Sequence, residues 1–290
     1  MADLELPEHD PGLIVDPLNF LIERAPVERG PVVVSVPHYG VGSPRVYHAT
    51  EFASKLGHHL AFGFADDYAA EIYGELHHAG AVVVATKLSR LFVDVNRPRD
   101  DFEVRDGAVY SRTGVVRTHS RRDIPIFTQS PDAADAELRL SGFYDPYYEA
   151  LDTHLQAAQA RHGHAILLDM HTANAQRMGT HQVVLGTSRN RTASTVLVEQ
   201  IAAVFERHDF TVELNVPGYG GANIVRHFGE YQRPGTQAVQ VEINAGLLQT
   251  LENDDFIRTQ INGRRPPPDL ATLARLRRCA LEVVRVCTEN

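Results

Sequence analysis

The fold is decided by the stretch AILLDMH, residues 165–171. Residues 165–170 are apolar except for Asp169, and they follow a helical stretch, residues 144–163, that ends at a glycine. A short apolar run of this kind is typical of a strand buried inside a sheet. The next residue, His171, is polar, so the chain changes character where the predicted strand ends.

Similar short apolar runs occur on both sides of this stretch. They predict further strands at residues 31–36, 81–86, 90–95, 182–186, 211–215 and 236–244. Between them lie stretches with helical character, at residues 51–62, 67–79, 144–163, 191–208 and 269–288. Apolar strands that alternate with amphipathic helices predict an α/β fold with three α/β/α layers around a mostly parallel mixed sheet.

The domain organisation is predicted to be simple. Residues 1–30 are rich in proline and charge and are interpreted as an N-terminal arm, and residues 31–290 as a single domain. Residues 99–142 are polar, with a candidate hairpin around Asp106 and Gly107, and are expected to cover one edge of this domain.

Composition restricts the class of partner. The net charge of −9 argues against a nucleic-acid partner, because phosphate binding requires a basic face. Arginines gathered at residues 97–99 and 121–122 fit a small anionic ligand better. The chain has two cysteines, no apolar signal segment and no apolar run of membrane-spanning length. We therefore expect a cytoplasmic protein with reduced thiols and no membrane partner.

Polar residues follow several of the predicted strands. His38, Arg97, His171 and Glu242 each lie at or just beyond the end of an apolar run. Every strand must become polar somewhere, so one or two such coincidences carry no functional meaning. Ligands nevertheless bind outside the carboxyl ends of strands in open α/β sheets, and these ends are therefore the candidate site.

Two of the 15 histidines suit a metal site. His38 and His171 each follow a buried strand, and zinc takes imidazole and carboxylate ligands while keeping one position for water. Asp67 is the preferred third ligand, with its neighbour Asp66 as a competitor. The alternative is that Asp67 only caps a helix. Asp169 shares a strand face with His171 and is expected to orient that ligand.

Charged residues on the remaining strands admit two interpretations. Glu242 could take a proton from a metal-bound water, or it could form a salt bridge at a sheet edge. Arg90 and Asp94 fall on one face of the predicted strand 90–95. They form either a local ion pair or part of a charged row that leads into a cleft.

Six motifs resemble the N-formylglutamate amidohydrolase family. They are SVPHYG (35–40), DYAAEIY (67–73), SRLFVDVNRP (89–98), LDMHT (168–172), GGANIVRHFG (220–229) and QVEIN (240–244). The resemblance runs in order from about residue 31 to residue 245. More distantly, the chain is similar to the aspartoacylase and zinc carboxypeptidase superfamily, which has the α/β/α fold expected above. The H-x-x-E ligand pair of that superfamily is absent, since Val41 stands three residues after His38.

The resemblance implies zinc-dependent hydrolysis of N-formyl-L-glutamate to formate and L-glutamate, a step in histidine degradation. It implies zinc ligation by His38, Asp67 and His171, catalysis by Glu242 and Arg90, and substrate binding by Asn96, Arg97 and Arg226. In this interpretation Glu242 acts as general base and acid, and Arg90 stabilises the oxyanion. Asn96 and Arg97 hold one substrate carboxylate and Arg226 another.

Two alternatives stay open from the sequence. A deacylase or carboxypeptidase-like enzyme could act on another N-acyl amino acid or a small peptide with the same residues. A non-catalytic binding protein of this fold could retain the arginines without the activity. Release of formate compared with that of acetate or longer acids would separate the first alternative from a deformylase.

Overall fold

A mixed sheet of seven strands forms the centre of the fold. The computed structural model describes residues 20–26, 28–42, 52–53 and 57–289. Its strands are β1 (Leu21–Arg24), β2 (Val32–Val36), β3 (Val82–Thr86), β4 (Glu103–Arg105), β5 (Ala108–Tyr110), β6 (Ala165–Ala173), β7 (Val183–Gly186), β8 (Val212–Leu214) and β9 (Thr236–Asn244). The order in the sheet is β1-β3-β2-β6-β9-β7-β8, while β4 and β5 pair separately.

The sheet is mostly parallel, as predicted. β3, β2, β6 and β9 run parallel to one another, and β8 runs parallel to β7. The antiparallel pairings are β1 with β3 and β7 with β9. The carboxyl ends of β2, β6 and β9 therefore meet at one edge.

Helices cover both faces of the sheet. They are α1 (Gly57–Phe64), α2 (Ala69–Tyr73), α3 (Ala133–Arg139), α4 (Asp145–His162), α5 (Ala175–Met178), α6 (Thr195–Arg207), α7 (Asn223–Phe228), α8 (Asn253–Ile261) and α9 (Leu270–Thr288). Apolar side chains of α2, α6 and α9 pack in one core cluster, and those of α4 and α7 pack in a second. This is the three-layer α/β/α arrangement expected from the sequence. No helix in the part of the chain that the structure describes is long and apolar enough to cross a membrane.

One face of the sheet changes from apolar to polar along β6. On β6, Ile166, Leu168 and Met170 belong to the first core cluster, whereas Leu167 belongs to the second. Side chains alternate between faces, so Asp169 and His171 follow Leu167 on the second face. That face is therefore apolar at the start of the strand and polar at its carboxyl end.

The predicted strand at residues 90–95 is wrong. These residues form turns, and the Asp94 carboxylate accepts hydrogen bonds from Arg90 and from the backbone N–H of Asn96. The Asp94 N–H itself donates to the Val115 carbonyl at 2.8 Å. Side-chain bonds of this local kind compete with strand pairing, and here they determine the backbone conformation.

Other predictions are confirmed or adjusted. The hairpin around Asp106 and Gly107 is formed by β4 and β5, with both turn residues at positive φ (51° and 82°). The helix predicted at residues 67–79 is split into α2 and a 3-10 turn at residues 76–79. Residues 21–24 of the predicted N-terminal arm form the edge strand β1, and residues 1–19 lie outside the described residues. Both cysteines are buried free thiols in α9.

Shortening a core side chain on the central strand tests this packing. Leu168 is fully buried, and Leu168→Ala is expected to lower the free energy of unfolding by roughly 2–5 kcal/mol, since it leaves a cavity. Leu270, 73% exposed, provides the matched control, because Leu270→Ala should change stability by about 0.5 kcal/mol or less. Urea denaturation measures both. Equal effects of the two substitutions would contradict the assignment of β6 to the core.

Candidate metal centre and active site

Three buried side chains converge at the carboxyl edge of the sheet. His38 lies just beyond β2, and His171 lies near the end of β6. Asp66 lies three residues before the start of α2, and its backbone N–H donates to the His38 carbonyl at 2.9 Å. The closest atoms are His38 Nδ1 and His171 Nδ1 at 3.2 Å, and His171 Nδ1 and Asp66 Oδ2 at 2.9 Å. The chain thus brings two imidazoles and one carboxylate together.

The ring orientations suit a cation. His38 Nε2 lies 2.7 Å from Asp94 Oδ1, and His171 Nε2 lies 2.9 Å from Asp169 Oδ2. A carboxylate only accepts, so each Nε2 carries a hydrogen, and in its neutral form each ring presents the lone pair of Nδ1 to the cluster. Carboxylates behind metal-binding histidines orient the ligands of metal sites in this way. Sequence reasoning anticipated the contact of Asp169 but not that of Asp94.

The donor set passes a direct test for a metal. The two Nδ1 atoms and an oxygen of Asp66 lie within 4.8 Å of one another, and all three residues are buried. Three buried electron-pair donors that converge are stabilised by a cation or a shared proton between them. Nitrogen and oxygen donors of this number are those of a catalytic metal site with an open position. These residues could therefore bind a metal ion.

Proton affinities in the cluster reflect burial and its charges. Burial, together with Arg90, lowers the pKa of His38 to about 4, so this ring is neutral as a ligand must be. Burial opposes protonation of His171 as well, but Asp169 and Glu242 hold its pKa well above the ordinary value. Within the metal-free cluster, a proton on His171 Nδ1 can bridge to Asp66. A metal ion would replace that proton.

The structure directs the carboxylate of Asp67, the third ligand preferred from the sequence, toward Gln260 and Arg265. The Asp67 carboxylate accepts from Gln260 Nε2 at 2.9 Å and lies 3.1 Å from Arg265 Nε. Its neighbour Asp66 occupies the position beside the two histidines. Adjacent residues in the turn before α2 project in different directions, so only one of the two aspartates reaches the cluster.

Glu242 lies directly beside His171 in the sheet. The two residues are register partners on β9 and β6, so their side chains share the polar face. Gln240 donates to Glu242 Oε1 at 2.6 Å, and Gln240 in turn accepts from the backbone N–H of Ala222. Burial raises the pKa of Glu242 to about 7, against the opposing effect of His171. A divalent cation in the cluster would lower this pKa again, because it favours the carboxylate.

The Asp94 carboxylate contacts several charged side chains, and its contact with His38 was not expected from the sequence. Its carboxylate is fully buried and accepts from Arg90 Nη2 at 2.8 Å, beside its contact with His38. Arg117 lies 3.4 Å away on the same oxygen, Oδ2. Burial opposes ionisation, yet Arg90, His38 and Arg117 hold the pKa of Asp94 well below its usual range. The R-x₃-D spacing of Arg90 and Asp94 was visible in the sequence, but the contact between Asp94 and His38 was not.

The side chain of Asn96, expected from the resemblance to bind substrate, is hydrogen-bonded on both sides. Its Nδ2 donates to Asp169 Oδ2 at 2.9 Å, and its Oδ1 accepts from the Ile224 N–H at 2.9 Å. Both polar groups of this side chain, 2% exposed, are engaged inside the protein. Asn96 therefore holds the Asp169 carboxylate in place through a hydrogen bond inside the protein.

The three predicted arginines occupy different positions. Arg90 Nη1 lies 3.8 Å from Asp66 Oδ1, so its guanidinium borders the cluster. Arg97 has a side chain 33% exposed and lies 3.8 Å from Asp94 at the margin of the site. Arg226, on α7, contacts Ser188 beyond the end of β7 and has no contact with the cluster within the described residues. The structure thus brings Arg90 and Arg97 to the site but not Arg226.

Comparison with known proteins agrees with this geometry. The family model described as N-formylglutamate amidohydrolase matches residues 30–248. N-formylglutamate deformylases of Pseudomonas putida and Pseudomonas aeruginosa are 26% and 25% identical to the chain, over 74% of it and 80% of each relative.

Two crystal structures show the same fold. An N-formylglutamate amidohydrolase from Ralstonia eutropha superposes with a TM-score of 0.76 at 20% identity, covering 93% of this chain and 97% of that one. A gene product from Agrobacterium tumefaciens superposes with a TM-score of 0.62 at 19% identity, covering 91% and 93%. With its matched motifs assembled around one buried cluster, the chain belongs to the N-formylglutamate amidohydrolase family.

Proposed function

We propose that this protein is a zinc-dependent amidohydrolase that cleaves N-formyl-L-glutamate into formate and L-glutamate. The observation that carries the proposal is the buried His38–Asp66–His171 cluster with Glu242 beside it on the neighbouring strand. Family membership supports the reaction, and the names of the curated relatives support the substrate. A cytoplasmic location and a role in histidine degradation follow from the same reasoning and stay predictions.

Zinc fits the donor set better than a hard cation does. Two imidazole nitrogens and one carboxylate suit zinc, whereas magnesium and calcium prefer oxygen ligands. His38, Asp66 and His171 would hold the ion, with Asp94 and Asp169 fixing the two rings. A bound zinc ion supplies a Lewis acid for the formyl carbonyl and lowers the pKa of water at the site.

Glu242 would transfer a proton from the attacking water to the departing amine. Among the described residues, Gln240 engages only Oε1, so Oε2 is the oxygen that can accept a proton from the attacking water. The same carboxyl can then deliver that proton to the departing amine nitrogen of glutamate. The carboxylate form accepts a proton and the carboxyl form donates one, so a single group can serve in both directions.

Two arginines would contribute positive charge to the proposed reaction. Arg90 borders the cluster and carries a positive charge that would stabilise the negative charge developing on the formyl oxygen. Arg97 leaves part of its guanidinium exposed at the margin of the site, where it can bind a substrate carboxylate. The burial of the cluster keeps bulk water away from these charges.

A formate-release assay tests the proposed function. Zinc-loaded protein should release formate from N-formyl-L-glutamate with a kcat/KM in the usual enzymatic range, roughly 10⁴ M⁻¹s⁻¹ or more. N-acetyl-L-glutamate and an N-formyl dipeptide serve as comparison substrates. Preferred release of acetate, or of the C-terminal residue of the dipeptide, would instead favour a deacylase or a carboxypeptidase.

Metal removal should abolish the activity. Treatment with a chelator is expected to remove formate release, and zinc added back should restore it, because the ion at the three-donor cluster would supply the Lewis acid of the proposed reaction. Zinc should also raise the melting temperature, since a ligand that binds only the folded state stabilises it. Full activity in protein shown by elemental analysis to be metal-free would contradict the assignment.

The adjacent aspartates provide a matched pair for the third ligand. Asp66→Asn should weaken zinc binding at least ~10-fold, since loss of even an outer-shell partner has an effect of this size. Asp67→Asn removes a buried charge beside Arg265 and should lower stability while preserving zinc stoichiometry. Zinc titration with a competing chelator measures both. The opposite ranking would restore Asp67 as the ligand.

Replacement of Glu242 separates chemistry from metal binding. Glu242→Gln keeps the shape of the side chain but removes the proton acceptor, so kcat should fall by ~10²- to 10⁴-fold. Zinc content should stay at the wild-type level, because Glu242 does not belong to the ligand cluster. Turnover close to wild type in this variant would exclude Glu242 as the base.

A further inference from the structure

The turn that carries Asp66, between α1 and α2, is held by two separate parts of the chain. Its backbone is bound to the sheet side of the site, because the Asp66 N–H donates to the His38 carbonyl at 2.9 Å. Thr172 Oγ1, on β6, donates to the Asp67 carbonyl at 2.7 Å. The side chains of the two residues that follow Asp66 instead contact α8 and the segment between α8 and α9.

Partners from that distant part of the chain surround the Asp67 carboxylate. Both of its oxygens accept from Gln260 Nε2 at 2.9 Å, and Oδ1 lies 3.1 Å from Arg265 Nε. Gln260 is 5% exposed and the Arg265 side chain 6%, so these contacts lie inside the protein. A buried carboxylate is costly unless partners balance its charge, and the two residues therefore determine where Asp67 points.

The backbone conformation of Tyr68 shows that the turn requires this support. Its φ of 63° lies in the left-handed region, which is unfavourable for a bulky side chain and persists only where the surroundings impose it. The Tyr68 hydroxyl donates to the Pro266 carbonyl at 2.9 Å, and its buried ring contacts Phe256 of α8 edge-on, with the ring centroids 6.3 Å apart. Contacts with α8 and the segment after it thus hold this strained residue in place.

The support of the turn bears directly on the candidate metal ligand. Asp66 and Asp67 share one peptide unit, so a rotation that displaces Asp67 also turns the Asp66 side chain. Asp66 Oδ2 lies 2.9 Å from His171 Nδ1 and accepts from the Thr172 N–H at 3.3 Å. Metal ligands must be held to within about 0.5 Å of their binding geometry. Loss of support at Asp67 should therefore weaken metal binding without removing a ligand.

We propose that Gln260 and Arg265 are positioning residues of the metal centre, which hold the turn at Asp67 so that Asp66 points toward the two histidines. Both residues follow residue 248, where the match to the family model ends, so family membership does not imply this role. The inference rests on the metal centre of the proposed function and adds the residues that support its acidic ligand.

The zinc affinity of the folded protein tests the proposal. In Gln260→Ala and in Arg265→Gln, the dissociation constant measured against a competing chelator should rise ~3- to 10-fold, while the number of zinc ions bound per chain stays unchanged. Loss of a direct partner of a metal ligand weakens binding by roughly 10- to 100-fold, and these residues act one step further away. Arg265→Lys keeps the charge and should bind zinc more tightly than Arg265→Gln.

A purely structural role predicts a different result, because a substitution that changes only the folding equilibrium leaves the affinity of the folded state unchanged. Val204 is fully buried on α6, and Val204→Ala should lower stability as core substitutions do. Its zinc affinity should equal that of the wild type at a temperature where circular dichroism shows every variant folded. Cobalt in place of zinc gives a second readout, since its visible spectrum depends on ligand geometry. The spectrum should change in Gln260→Ala and Arg265→Gln but not in Val204→Ala.

Arg264 provides the matched control. It is the exposed neighbour of Arg265, and Arg264→Gln removes the same charge at the surface. This variant should keep the wild-type zinc affinity and cobalt spectrum. Unchanged zinc affinity in Gln260→Ala or Arg265→Gln, or a loss of equal size in Arg264→Gln or Val204→Ala, would overturn the proposal. If Arg265→Gln does not fold, Gln260→Ala decides the result, because it leaves the Asp67–Arg265 ion pair in place.

Formate release separates this inference from the proposed reaction. If zinc binding weakens in the two variants as expected but the wild type releases no formate, the proposed reaction fails and the positioning role stands. If the wild type is active and the variants bind zinc as tightly as it does, the positioning role fails and the reaction stands. Wild-type protein that binds no zinc would overturn both.

Discussion

The structure depends on two carboxylate–imidazole pairs that lie behind the candidate metal site. Asp94 and Asp169 each accept a hydrogen from the Nε2 atom of one histidine, so both rings direct Nδ1 toward Asp66. Without these pairs either ring could rotate or change tautomer, and the donor set would not converge. The rest of the polar interior holds the two aspartates in place.

The two aspartates are held by different parts of the fold. Asp169 accepts from Ser35 Oγ at 2.8 Å, and Ser35 in turn contacts the hydroxyl of Tyr147 on α4. Asp94 is held by Arg90 and by the backbone of its own turn. Buried charge is costly unless every oxygen finds a partner, so these contacts allow the charged cluster to exist inside the core. The site thus requires both the sheet and the layer of helices above it.

Apolar patterning predicted the sheet well and the turns poorly. β2, β3, β6 and β9 coincide with the short apolar runs to within a few residues, because burial on both faces leaves an uninterrupted hydrophobic signature. The run RLFVDV carries the same signature, but there the Asp94 carboxylate organises turns instead. Periodicity reports which residues are buried and cannot report which side chains bind the backbone.

The sequence also could not show which distant residues each polar side chain contacts. Asp66 and Asp67 are neighbours of identical chemistry, and they are distinguished by Gln260 and Arg265, which lie far along the chain. The same holds for Asn96, whose partners Asp169 and Ile224 come together only in the folded protein. Residues held directly by a strand, such as His171 and Glu242, were identifiable because the strand alone determines their direction.

The pairing of β6 with β9 has a mechanical consequence for the enzyme. His171 and Glu242 are opposite each other in one register, so their backbones are separated by the spacing of two hydrogen-bonded strands, about 4.8 Å. A shift of one residue would bring Val241 or Ile243 to that position and turn the carboxyl group to the opposite face. Main-chain hydrogen bonds therefore fix the separation of these two backbone positions and the face of the sheet that both side chains share.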